Sequence, residues 1–221
     1  KSARIIRFMN NNKTIAAVAT PMSAGGIGII RISGSDAVTV ADRVFKAKSG
    51  KSLSALSGYS AAYGKVYNGE KVIDEAIALV FKAPKSYTGE DVVELSCHGG
   101  LFVTQKVLRT VFAAGAVPAE PGEFTKRAFL NGRLDLSQAE AVIDLIRAKS
   151  DKTFDVALDQ LEGKFSKKIK EIRADLVDIL VNITVNIDYP DEDIEVITYE
   201  NLVTGLIGVR EKVNAMLATA D

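Results

Sequence analysis

Two chemically versatile residues are almost missing from this chain. It has one cysteine and one histidine, Cys97 and His98, side by side. A single thiol excludes an intrachain disulfide and fits a reducing, cytosolic setting. A single imidazole leaves no cluster with metal-ligand spacing, so no metal site is expected. An excess of either charge is lacking as well: 28 Lys and Arg balance 28 Asp and Glu. That argues against a broad basic surface for nonspecific nucleic-acid binding and leaves room only for local patches. Long apolar runs are also absent. A membrane span needs roughly 18 residues, and the longest candidate, "LVDILVNITVNI", is interrupted by Asp178, Asn182 and Asn186. No membrane association is expected. What is present is 221 residues that are 47% hydrophobic and 25% charged. This suffices for a real core and for one large or two ordinary domains.

A phosphate-binding loop is absent too. The pattern G-x-x-x-x-G-K-[ST] lets backbone N–H groups wrap phosphates. Gly50-Lys51-Ser52 supplies its end, but its first glycine position holds Phe45. Gly64-Lys65 and Gly163-Lys164 lack a following Ser or Thr. The dinucleotide pattern G-x-G-x-x-G starts at Gly26 and Gly28 and fails at Arg31, with a strand following instead of a helix.

The periodicity divides the chain in two. From Thr14 to about Gly115, β-like runs alternate with helical ones, which predicts an α+β fold with antiparallel pairing in the sheet. "IAAVAT", "IGIIRIS" and "DVVELSC" read as strands. "YSAAYGKVY" and "EKVIDEAIALVFK" flank Asn68-Gly69, a hairpin signal. Ser35 is expected to cap the helix "DAVTVADRVF", and "LFVTQKVLRTVFAAG" reads as a helix ending at Gly115. From about Phe124 the pattern is helical. Ser137 with Glu140 predicts a capping box. A stripe of 3.6-residue period from Phe154 to Ile187 predicts one very long helix, stopped by Pro190 and the "DEDI" beyond it. A final helix, "ENLVTGLIGVREKVNAMLATA", meets no Gly or Pro stop, so a natural chain that continues is expected. The expected organisation is an expression-vector remnant over 1–8 ahead of Met9, an α+β domain over 9–123 and a helical-bundle segment over 124–221.

A few side chains invite a chemical reading. Arg31 lies in an isoleucine-rich strand, on the face of residues 27, 29 and 33. Its guanidinium must either find an anion, since an unpaired buried charge costs several kcal/mol, or snorkel to water from an edge strand. Glu94, among Val92, Val93 and Leu95, needs donors in the same way. Arg31 is one candidate partner, and a ligand's paired N–H/NH₂ edge is another. Both residues in one cleft would suit a flat heterocycle bearing acidic groups. In "PGEFTKRAFLNGRLDLSQAEA", rich in Glu123, Lys126, Arg127, Arg133 and Asp135, the Asn131-Gly132 turn can aim Arg133 back toward the first half, although a solvated linker is the commoner fate of such charges. His98 reads as a hydrogen-bonded turn residue and Cys97 as a small buried side chain. No catalytic residue is expected.

Together, "TIAAVATP", "GGIGIIRISG", "SYTGEDVVELSCHGG", "PGEFTKRAFLNGRLDLSQAEAVIDLI" and "IDYPDEDI" closely resemble the MnmE (TrmE) family of tRNA modification GTPases, in consistent order from about Lys13 onward. The resemblance implies an N-terminal folate-binding, homodimerising α+β domain related to glycine-cleavage aminomethyltransferases. It also implies a helical domain interrupted by an inserted GTPase domain that begins near where this sequence stops. GTP, Mg²⁺ and K⁺ would then act only through that insert. Cys97 does not match the motif of the family's functional cysteine. By resemblance the whole protein works in the cytoplasm with the flavoprotein MnmG (GidA). The pair modifies C5 of the wobble uridine of tRNA, using GTP hydrolysis and a one-carbon unit from a tetrahydrofolate derivative (5-formyl- or 5,10-methylene-tetrahydrofolate). The family's folate contacts map onto Arg31, Glu94 and Arg133, the last replacing a lysine seen in relatives. A reduced folate offers an N3–H/2-amino pair to Glu94 and carbonyls and carboxylates to the two arginines. The glycines near Gly25 to Gly28 are expected to let backbone approach the flat ring. Alternatives from other classes are a stand-alone folate-dependent aminomethyltransferase-like enzyme and a dimerisation scaffold without ligand.

Overall fold

The computed structural model describes residues 13–188 and 199–218. The expected remnant over 1–8, Pro190 and the "DEDI" run therefore lie outside the described residues. By its internal contacts the chain forms two compact units, Lys1–Ala139 and Glu140–Asp221.

Unit 1 is built on a seven-stranded sheet in the order β3-β4-β5-β6-β2-β1-β7. The strands are β1 (Ile15–Val18), β2 (Ile27–Ser33), β3 (Phe45–Ala47), β4 (Ser60–Asn68), β5 (Lys71–Phe81), β6 (Val92–His98) and β7 (Val117–Pro118). All pairs are antiparallel except β1 with β7, so the fold is mixed α+β. Asn68 pairs with Lys71, which makes Gly69-Glu70 the two-residue hairpin loop, and Gly69 adopts φ +60° there.

Alternation along the strands decides what is buried. Ile30 and Ile32 of β2, Val93, Leu95 and Cys97 of β6, and Val66, Ala78 and Val80 of β4 and β5 enter one core. Two helices supply the other half of that core. Helix α1 (Ala37–Val44) contributes Val38, Val40, Ala41 and Val44, and α2 (Leu101–Ala113) contributes Val107 and Val111. Each fully buried Val or Ile is worth about 2 kcal/mol of transfer free energy. The apolar face of the sheet is thereby covered, and Ile27, Ile29 and Arg31 are left on the other, more open face.

Both ends of the first helix differ from expectation. Helix α1 begins after Asp36, not Ser35, and Asp36 offers no side-chain cap. Instead the Asp36 N–H donates to Thr14 Oγ1 at 3.1 Å, a tertiary contact that no local pattern encodes. Phe45, expected within the helix, starts β3 instead and is buried there.

Beyond the sheet, α3 (Glu123–Leu130) and α4 (Leu136–Arg147) follow. The capping box of α4 is not Ser137 with Glu140. Asp135 and Gln138 exchange backbone-to-side-chain hydrogen bonds at 2.9 and 3.0 Å, two residues earlier. Compact unit 1 runs to Ala139, so α3 belongs with the sheet. Periodicity groups α3 with the helical part, because helix pattern and domain membership are separate properties.

In unit 2 the long apolar stripe is divided between α5 (Asp151–Leu161) and α6 (Lys164–Asp188), with α7 (Tyr199–Leu217) after them. The break falls at Gly163, with φ +80°, a value that ends a helix at little cost only for glycine. Ser150 caps α5 in a reciprocal box with Thr153. Helices α6 and α7 approach closely at Gly205, where an added Cβ would lie 3.1 Å from Ile179 Cδ1. A Lys212–Asp175 ion pair at 2.6 Å also links them. No residue of α6 is fully buried. Among the described residues, no helix is long and apolar enough to cross a membrane.

Candidate functional site

The open face of the unit 1 sheet carries the charged pair. Arg31 of β2 and Glu94 of β6 occupy one register position, and Arg31 Nε donates to Glu94 Oε1 at 2.7 Å. The two side chains keep 26% and 18% of their surface exposed. Strand β2 lies between β1 and β6, so Arg31 is not an edge residue snorkelling to water. Its isoleucine neighbours Ile30 and Ile32 point into the core behind it.

A cavity of about 500 Å³ opens beside this pair, lined by residues that include Arg31, Glu94, Lys85, Tyr87 and Arg133. The three residues singled out in the sequence thus share one cavity. Arg133 reaches it through the Asn131-Gly132 turn, where Gly132 takes φ +74° and Arg133 N–H donates back to Ala128 O at 2.9 Å. Aromatic rings order the cations. The Arg31 guanidinium carbon lies 5.2 Å from the Tyr87 ring centre and 5.5 Å from that of Phe124, and Arg133 lies 5.0 Å from Tyr87. Such contacts favour a fixed guanidinium over a solvated, mobile one.

A second ionic group forms among charges whose sequence pattern alone predicts a solvated linker. Arg127 of α3 is 6% exposed. It donates to Glu90 Oε2 at 3.1 Å, to Glu123 Oε1 at 2.9 Å and to Lys13 O at 3.0 Å. Glu90 in turn accepts from Ser33 Oγ at 2.8 Å, and Ser33 bonds Thr88 at 2.7 Å. Burial alone would raise the Glu123 carboxyl. The Glu120 N–H and the Arg127 guanidinium outweigh that and hold it below its ordinary value. These bonds dock α3 and the 82–91 loop on the sheet and thereby build the cavity wall. The only local signal for Arg127 was its place between Phe124 and Phe129 in a charge-dense helix.

The glycine-rich turn does not serve the cavity. Gly28 packs on α2, where an added Cβ would lie 2.6 Å from Thr104 Oγ1, and Gly25 donates to Gly99 O at 3.3 Å. Gly28 permits a close approach of protein to protein, and neither it, Gly25 nor Gly26 lines the cavity. His98 Nδ1 contacts Asp74 Oδ1 at 2.6 Å. Cys97 is buried, and burial, reinforced by the Asp74 carboxylate, pushes its thiol up to about 11. It remains protonated and unreactive at neutral pH. Among the described residues, no group of three or more His, Cys, Asp or Glu side chains could hold a metal ion.

An α+β unit with a cation-rich cavity on its open sheet face, followed by a unit whose described residues are helical, defines the class. Comparison with known proteins then gives the family. Residues 14–133 match the family described as "GTP-binding protein TrmE N-terminus", and residues 136–221 match "MnmE helical domain". The chain is 49% identical over 211 residues to the tRNA modification GTPase MnmE of Bacillus licheniformis, covering 94% of this chain and 46% of that one. It is 50% identical over 208 residues to the same enzyme of Clostridioides difficile, covering 94% and 45%. With that of Lactiplantibacillus plantarum it shares 51% over 210 residues, covering 94% and 45%. This chain belongs to the MnmE (TrmE) family of tRNA modification GTPases. It spans about half the length of the curated relatives it matches.

Proposed function

We propose that unit 1 binds a tetrahydrofolate derivative, 5-formyl- or 5,10-methylene-tetrahydrofolate, as the one-carbon donor of a tRNA-modifying enzyme. The observation that carries this reading is the convergence of Arg31, Glu94 and Arg133 on one cavity of about 500 Å³, a volume within the range of small-molecule sites. Glu94 spends one oxygen on Arg31, and the other is free to accept from the N3–H/2-amino edge of a pterin. Arg133 and Lys85 carry no acidic partner among the described residues, which suits carbonyls and the carboxylates of a glutamate tail. The donor set fits the ligand.

In the same reading the protein is a homodimer that works in the cytoplasm with MnmG (GidA) at C5 of the wobble uridine of tRNA. GTP hydrolysis, with Mg²⁺ and K⁺, is assigned to the part of the relatives that this chain does not span. The 221 residues contain no phosphate-binding loop, so this chain alone binds folate and leaves GTP intact. Exposed apolar side chains of unit 1, Ile27 at 66% and Ile77 at 48% among them, support an association surface.

Calorimetric titration of 5-formyltetrahydrofolate into the wild-type chain and Glu94→Ala tests the folate site. The expected result is saturable one-to-one binding that weakens at least about tenfold in the variant, through loss of charge-assisted hydrogen bonds. Equal affinity in both would remove Glu94 from the site, and no heat from the wild type would remove the folate. Sedimentation of the chain reads the oligomeric state independently.

A further inference from the structure

The geometry points to Tyr87 as the positioning residue of this site, a ring that sets the separation and orientation of the two arginines rather than a donor to the ligand. The inference rests on the folate reading and adds to it an uncharged residue of the "SYTGED" stretch to which the resemblance assigned no contact.

Three independent contacts meet on this side chain. The Arg31 and Arg133 guanidinium carbons lie 5.2 and 5.0 Å from the same ring centre. The phenol is within hydrogen-bond distance of Thr125 Oγ1 at 2.9 Å, which ties the far end of the ring to α3. Two like charges drawn to one ring would otherwise repel and swing apart into solvent. The ring's negative faces offset that repulsion. Arg31 has Glu94 as a second anchor. Arg133 has no ionic partner among the described residues, so its position depends on Tyr87 more than that of Arg31 does.

The backbone that presents Tyr87 is held on both sides. Ser86 is buried and its hydroxyl donates to Glu90 O at 2.5 Å. Thr88 is fully buried against Ser33, and its carbonyl accepts from Asn131 Nδ2 at 2.7 Å. Gly89 follows with φ +75° and Asn131 packed 3.1 Å from where a Cβ would stand. With both neighbours fixed inward, the Tyr87 side chain is directed into the cavity it lines. A pre-organised cation binds an anionic group without first losing rotamer freedom, and that saving appears as affinity.

The test is a double-mutant cycle in the full chain, with 5-formyltetrahydrofolate as probe and thermal melting in parallel. Tyr87→Phe keeps the ring and is expected to bind within about threefold of wild type. Tyr87→Leu loses the ring and is expected to bind about tenfold more weakly with little change in melting temperature. Because Tyr87 acts through Arg133, Tyr87→Leu is expected to add less than about twofold in an Arg133→Gln background. A purely structural residue would instead weaken both backgrounds equally. Additive effects, wild-type affinity in Tyr87→Leu, or equal loss in the Phe and Leu variants would each overturn the assignment and leave the folate site standing. Should Tyr87→Leu fail to fold, Tyr87→Met carries the same comparison, and failure of both makes Tyr87 a core residue and ends the proposal. Absence of folate binding by the wild type overturns the folate reading and this one together.

Discussion

Arg31 and Glu94 face each other at one register position of the β2–β6 ladder and are joined by a 2.7 Å hydrogen bond. Both are partly shielded from solvent, so their coupling should exceed that of a surface pair. Urea unfolding of Arg31→Met, Glu94→Gln and the double variant is expected to give a coupling energy of about 1–2 kcal/mol. Strict additivity would mean that the pair contributes nothing to stability and is retained for the cavity alone.

Arg127 has the larger structural role. Its removal leaves Glu90, Glu123 and the Lys13 carbonyl without their shared donor. Arg127→Met is expected to destabilise unit 1 by about 3 kcal/mol, and chemical denaturation followed by circular dichroism measures it. A loss below 1 kcal/mol would show that the three acceptors find water instead.

The same cluster predicts a pH dependence. Glu123 titrates below its ordinary value of 4.5 in the folded chain. The carboxylate therefore adds stability above the unfolded-state value, and that contribution disappears as pH falls through the lower folded-state value. Glu123→Gln should flatten this acid-side portion of the stability profile, measured as urea midpoints between about pH 5 and 2. An unchanged profile would assign the acid sensitivity to other carboxylates.

Gly64 lies where β4 meets β3, and an added Cβ would strike the Lys46 carbonyl oxygen and come within 2.8 Å of Ala47 Cα. Both obstacles are backbone, so no rotamer change relieves them. Gly64→Ala should cost about 3 kcal/mol and weaken β3 pairing first. Faster amide exchange across 45–47 would report the second effect.

Cys97 should resist alkylation. With its thiol pushed up to about 11 by burial, iodoacetamide at pH 8 should label the native chain far more slowly than the urea-unfolded one. Rapid native labelling would show that β6 opens locally.

Several elements were determined by the sequence alone, because their causes are local. Ile- and Val-rich runs specified β2 and β6, Asn68-Gly69 marked the hairpin, and the break in periodicity after the sheet announced a helical second half. Arg31 and Glu94 were legible as charges out of place in apolar strands, whereas Arg133 was one charge among several beside a turn and was singled out by the resemblance. Other features were settled only by tertiary contact. Thr14 displaces Ser35 in starting α1, Gly163 divides the long stripe, and the glycine turn meets Thr104 and Gly99 rather than the cavity. Tyr87 and Arg127 stand inside quoted motifs, but no local pattern there assigns either its role. Their roles exist because hydrogen bonds between residues tens of positions apart dock α3 and the 82–91 loop on the sheet, and sequence periodicity records only which face of an element is apolar, not what packs against it.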